Sequence, residues 1–184
     1  MKDVAISWRA QLTRVFLWIS VLIWGLLLGA KLFDLRVLVG AWSASPPESL
    51  SLLPYGPRYP VDTGQFFQPI SVAVMLASFG ALISGWTTPP RYRVWLVLSA
   101  VMILGSLIFT VVAFWPRNAA LWAVAKGSPT AIQDPAEVVR MVREWVTYDW
   151  LRVAMGTVGF LSSVRAISVP IPAPADLRAA QCGK

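Results

Sequence analysis

Apolar positions in this chain are gathered into long unbroken runs rather than alternating with polar ones. Residues 63–90 form 28 consecutive residues without a charge, residues 94–116 form 23, and residues 15–30 form 16. A helix needs about 20 such residues to cross ~30 Å of hydrocarbon, so the pattern predicts an integral membrane protein. A fourth run, between Arg152 and Arg165, holds 12 uncharged residues, which is only ~18 Å of helix. Either it is a buried helix, or it spans with an arginine inside the apolar slab that reaches an interface, a partner or a wet cavity. The three preceding spans, and the stop at Pro170, Pro172 and Pro174, favour the second reading. The expected architecture is an all-α integral membrane protein, a bundle of four transmembrane helices forming one domain over residues 1–184. Its spans are expected near residues 12–35, 69–86, 94–115 and 147–169, with outer segments at 36–68 and 116–146.

Local signals place the ends of these spans. Lys2, Arg9 and Arg14 precede the first; a basic lead followed by an apolar run also fits a signal peptide, but Trp18, Trp24 and the long lead favour a retained helix. Pro69 is placed in the first turn of the second span, where its missing N–H is tolerated, and Thr87-Thr88-Pro89-Pro90 ends that span. Trp95 and Trp115 bound the third at the depth of the aromatic belts, and Pro116 is expected to stop it. In the second outer segment Asp134-Pro135-Ala136-Glu137 reads as an N-cap, a proline at the first helical position and an acidic first turn. No Pro or Gly follows until Gly156, so one helix of about 34 residues from Pro135 to Ser168, ~51 Å long, is expected to project on the outer side. Val138, Val142, Trp145 and Asp149 share one of its faces, which needs a cover that the first outer segment can supply.

Charge orients the bundle. With the N-terminus, the Arg91/Arg93 turn and the tail on one face, that face carries a surplus of six positive charges and the opposite face a surplus of one. Lys and Arg excess marks the cytoplasmic side. Both termini are therefore expected inside, most simply in a bacterial inner membrane. The net charge of +7 is distributed over span edges instead of a single stripe, so nucleic acid is not an expected partner.

Composition also limits the chemistry. The chain has no histidine and one cysteine, so His-ligated haem, a Cys-rich zinc site, an intrachain disulfide and a Cys-X-X-Cys couple are excluded, and neither metal nor cofactor is expected. Cys182 lies third from the C-terminus and makes no prenylation box. The first outer segment holds Pro46, Pro47, Pro54, Pro57 and Pro60 with Trp42, Tyr55, Tyr59, Phe66 and Phe67; it reads as a proline-stiffened cap or as a binding lid. Gly25 and Gly29, Gly80, and Gly156 and Gly159 follow helical spacing and are expected to form packing seams, the alternative being room for a ligand. The candidate site is Asn118, Asp149, Trp150 and Arg152. Asp149 and Arg152 stand three residues apart and can pair on a helix, and Asn118 can complete a polar patch. That patch reads either as a topology-fixing ion pair with a capping Asn or as a site for the polar group of a hydrophobic molecule.

Pro116-Arg117-Asn118, then Trp122, then Trp145-Val146, Asp149-Trp150, Arg152 and Gly156 resemble the C-terminal half of a largely uncharacterised four-span membrane family that includes the anthrone oxygenases of polyketide pathways. The resemblance covers about residues 103–165; the first half agrees only in layout. It implies cofactor-free oxidation of a phenolic polycycle. The family pattern has Pro-x-Asn after the third span and Trp-x-x-x-His-Trp-x-Arg opening the fourth, and here Asp149 stands at the His position, so the imidazole base is missing. The expected function is therefore a non-catalytic accessory or scaffold subunit of a membrane assembly, able to hold a lipid or quinone beside Arg152. The alternative is an anthrone-oxygenase-like, cofactor-free oxidoreductase acting on a hydrophobic phenol. The expected partners are the lipid bilayer, other membrane subunits or a second copy of the chain, and a hydrophobic small molecule.

Overall fold

A computed structural model describes residues 8–54 and 62–169, and all regular structure among them is helical. Helix α1 (Trp8–Phe33) continues through a π-helical turn, Asp34–Leu38, into the short α2 (Val39–Trp42). The first apolar rod is thus longer at both ends than expected from its uncharged core, because charged residues at its ends remain helical. Helix α3 (Thr63–Ser84) starts six residues before Pro69. Asp62 caps it by accepting from the Gln65 backbone N–H at 2.7 Å, and this cap, missed in the sequence, outranks the proline as a start signal. Pro69 consequently lies inside the helix.

Helix α4 (Pro90–Phe109) passes through a second π turn, Thr110–Phe114, into α5 (Trp115–Ala125). The expected stop at Pro116 does not occur. The wide turn resets the hydrogen-bond register just before the proline, which then occupies the first turn of α5, where a missing N–H is tolerated. Helix α6 runs from Pro135 to Ser168 without interruption, as its sequence indicates, with Asp134 accepting from Ala136 N–H at 2.9 Å.

Three rods, Trp8–Trp42, Thr63–Ser84 and Pro90–Ala125, are long and apolar enough to cross a membrane. The fourth, α6, is long enough but not apolar enough to qualify on composition. It nevertheless packs between α1 and α4, while α3 packs against α1 and α4 on the other side, so the four long helices form a closed ring in the order α1, α3, α4, α6. The start of α1, the α3–α4 turn and the end of α6 meet at one end, where Thr13 donates to Ser84 at 3.0 Å and Leu17, Tyr92, Leu96 and Ala166 pack together. Arg9, Arg14, Arg91, Arg93 and Arg165 gather at this basic end. The opposite end is filled by Trp42, Leu50, Phe114, Leu121, Val138 and Trp145. Leu50 and Leu53 of the first connection, together with Leu121 of α5, supply the cover for the amphipathic start of α6. Tyr55, Tyr59, Cys182 and the three prolines after Val169 lie outside the described residues.

Mid-bundle, one buried serine from each of the four long helices joins a ring of hydroxyls. Ser20 lies 3.2 Å from Ser78 and 3.1 Å from Ser163; Ser99 lies 3.2 Å from Ser78 and 2.8 Å from Ser163. The four hydroxyls close a ring in which each can donate once and accept once, and Trp24 Nε1 adds a donor to Ser99 at 3.2 Å. An unpaired hydroxyl is costly in an apolar interior, so the ring holds the four helices in one axial register. The small residues sort differently. A Cβ on Gly159 would stand 2.5 Å from the Trp24 ring and one on Gly80 2.7 Å from Phe16, so both glycines admit a ring. Gly156 and Gly25 have ordinary contacts with Trp24, Leu28 and Phe160. Gly29 is exposed with open space around it and belongs to no seam.

Candidate functional site

Two short-range charged pairs, on helices far apart in the sequence, converge near the end of the bundle opposite the basic one. Lys31 and Asp34 flank the point where α1 widens into its π turn, with Nζ 2.7 Å from Oδ2. On α6, Asp149 Oδ1 accepts from Arg152 Nε at 2.9 Å and from a terminal guanidinium nitrogen of the same residue. Lys31 Nζ then reaches Asp149 Oδ2 at 3.2 Å, an ion pair outside hydrogen-bond geometry. Asp149 is 0% exposed. A carboxylate so buried is tolerable only beside opposite charge, which Arg152 and Lys31 supply; with Asp34 included, the four groups sum to zero.

Aromatic rings and hydroxyls hold this cluster in place. The Arg152 guanidinium lies over the Phe114 ring, 3.5 Å from its centroid, and its NH1 donates to Thr110 Oγ1 at 3.2 Å. Trp145 packs edge-on against Trp42 and Phe114 with centroids 5.0 and 5.1 Å away, and its Nε1 donates to Asn118 Oδ1 at 2.7 Å. Asp34 and Thr110 each open a π turn. Widened turns of this kind displace side chains from regular packing and recur at functional sites.

Beside the cluster lies a cavity of about 330 Å³, within the size range of small-molecule sites. Rings from Trp24, Trp42, Phe67, Trp115, Trp122 and Trp145 wall it, and Lys31, Asp34, Thr110, Asn118 and Arg152 are among its polar groups. Of the sequence-derived candidates, Asn118 and Arg152 line the cavity. Asp149 sits behind Arg152 and is not part of the wall. Trp150 is 44% exposed and turned away, with Arg36 Cζ 5.8 Å from its ring. The expected pairing of Asp149 with Arg152 is present, while Asn118, expected to complete their polar patch, instead accepts from Trp145. Lys31 and Asp34 were missed. Their signal was present as an i,i+3 pair of opposite charges at the end of an apolar run, the same spacing as Asp149 and Arg152.

The anthrone oxygenase family model matches residues 59–162, more than half of the chain. The chain belongs to the anthrone oxygenase family. No curated protein and no solved structure matches it. For this family member the match extends well before residue 103, where the resemblance in the sequence begins, and takes in α3 with Phe67 and Gln68. Lys31 and Asp34 come from the helix that precedes the matched segment, so this anthrone oxygenase family cavity joins matched and unmatched parts of the chain.

Proposed function

We propose that this protein binds a planar hydrophobic molecule bearing a phenolic or enolisable keto oxygen, of the anthrone class, and oxidises it with molecular oxygen without a cofactor. The observation that carries the reading is the Lys31–Asp34 pair on the wall of an aromatic cavity. Rings of the wall stack on the flat faces of the ligand, and its oxygen points to Lys31 and Arg152. The net-neutral cluster governs the proton. Forming an enolate by losing the proton to bulk would leave a negative charge in a low-dielectric site, whereas transfer to Asp34 changes no net charge. Protonated Asp34 releases Lys31, which pairs with the new oxyanion. Electron-rich carbon then reacts with O2, and the balance is anthrone plus O2 to anthraquinone plus water.

A second reading is favoured by one observation: Asp149, at the His position of the family pattern, does not face the cavity. On that reading the site holds a quinone or lipid without turnover, as part of a larger membrane assembly. Oxygen uptake by the reconstituted protein with an anthrone separates the two. The first reading expects uptake above the protein-free rate, lost in Asp34→Asn while quenching of tryptophan fluorescence by anthraquinone persists. Quenching without uptake in the wild type would select the second, and absence of both would reject the ligand site.

In this reading α6 is the fourth transmembrane helix, its buried charges matched within the bundle. The basic end faces the cytoplasm with both termini and the cavity lies toward the outer face of a bacterial inner membrane, in line with the positive-inside bias.

A further inference from the structure

We infer that the ligand enters and leaves the cavity sideways from the membrane, through a slit between α3 and the α4–α5 rod bordered by Gln68, Val111 and Trp115. The inference rests on the ligand reading above and adds a route and the residues that control it. Among the described residues lining the cavity, only these three are exposed, Val111 at 45% and Trp115 at 56%. All three lie on two neighbouring rods. Gly64, Gln68 and Ser71 share one face of α3, and Leu107, Val111 and Trp115, each four residues apart, share one face of the other rod; both sets line the cavity.

The helices diverge where the slit is needed. α3 packs on α4, to which the 85–89 turn ties it, but makes no comparable contact with the π turn or α5. The surface around the slit is apolar, with Val72 and Leu76 on α3, Leu104 and Ile108 on α4, and Val112 in the π turn after it exposed, so it faces hydrocarbon. Trp115 sits above it, suited to the headgroup layer. At the aqueous end buried Leu53 and Pro54 of the first connection roof part of the cavity, beside half-exposed Asp62, Thr63 and Gly64. Pro69 beside the slit removes the backbone bond that would tie it to Gln65, leaving the first turns of α3 able to tilt. Gln68 places an amide at the mouth, where a hydrophobic molecule carrying an oxygen can exchange hydrogen bonds before meeting Lys31 and Arg152.

The experiment is stopped-flow quenching of tryptophan fluorescence by 1,8-dihydroxyanthraquinone, with the full chain in phosphatidylcholine and phosphatidylglycerol nanodiscs. Val111→Trp narrows the slit, and Val111→Phe is the milder version in case the larger ring disturbs folding. Both are expected to slow association and dissociation together, by about tenfold for Trp, with Kd changed less than about twofold, as an obstruction outside the binding position must. Leu52→Trp, on the exposed face of the roof segment away from the cavity, is expected to keep wild-type rates. The wild-type association rate should follow ligand concentration in the lipid and not in water when the lipid-to-water ratio is varied. Wild-type rates in both folded Val111 variants, or a rate set by aqueous ligand, would overturn the lateral route while leaving the binding site standing. No quenching in the wild type would instead reject the ligand reading and the route with it.

Discussion

Replacing Asp149 by Asn keeps the shape of the side chain and deletes the anion that faces two buried cations. In the native structure Arg152 and Lys31 both reach Asp149, the former at 2.9 Å and the latter at 3.2 Å, and the Asp149 side chain has no exposed surface. After the substitution, Asp34 alone opposes two positive charges, and Arg152 keeps a neutral carboxamide, Thr110 and the face of the Phe114 ring. Breaking a buried ion pair from one side typically costs about 3–5 kcal/mol, because the remaining charge stays desolvated. That corresponds to a loss of roughly two to four powers of ten in the folded-to-unfolded ratio. The comparison is Glu144→Gln, which breaks the Arg117–Glu144 contact of 3.0 Å at a site where the carboxylate is 39% exposed; such pairs contribute about 0–1 kcal/mol. Thermal unfolding in detergent, followed by tryptophan fluorescence, should show a large fall in midpoint for Asp149→Asn and little change for Glu144→Gln. The double variant Asp149→Asn with Arg152→Gln should recover part of the loss, since it removes the orphaned cation as well. Equal midpoints for the two single variants, or additivity in the double-mutant cycle, would refute the electrostatic account of this cluster.

Gly159→Ala should destabilise by about 1–3 kcal/mol, because its Cβ would stand 2.5 Å from the Trp24 ring, whereas Gly29→Ala, in open space, should be neutral or stabilise by about 0.5–1 kcal/mol; thermal midpoints of the pair test the sorting of seam from surface. Ser99→Ala should cost about 0.6–2 kcal/mol, the range of hydrogen bonds between membrane helices, and combining it with Ser163→Ala should cost less than the sum, since the two share the 2.8 Å edge of the ring; strict additivity would argue against a closed network. A cysteine introduced at Ser128 in a Cys182→Ser background should react with an impermeant thiol reagent in intact cells, while native Cys182 in the unaltered protein should not; the reverse pattern would invert the orientation.

Long uncharged runs identify membrane-spanning helices by themselves, because the bilayer leaves the backbone no partner except itself. The three apolar rods and the uninterrupted α6 with its cap at Asp134 and its buried face through Val138, Val142, Trp145 and Asp149 were therefore legible in the sequence, as was the pairing of Asp149 with Arg152 at i,i+3. Where an element depends on a competition between local signals, the linear reading lost. Asp62 outranked Pro69 as the start of α3, and a π turn carried the chain past Pro116. What only the tertiary structure decided is which distant residues share a volume. Single serines on four helices look like incidental small residues until the helices are set in register, and Lys31 and Asp34 look like the charged end of a span until α6 brings Asp149 to them. Trp150, adjacent in sequence to Asp149, faces outward because consecutive residues on a helix point about 100° apart. Helical periodicity tells which residues share a face, but which face meets which across the bundle depends on packing between rods separated by scores of residues, and neither the cavity nor its opening has any local imprint in the chain.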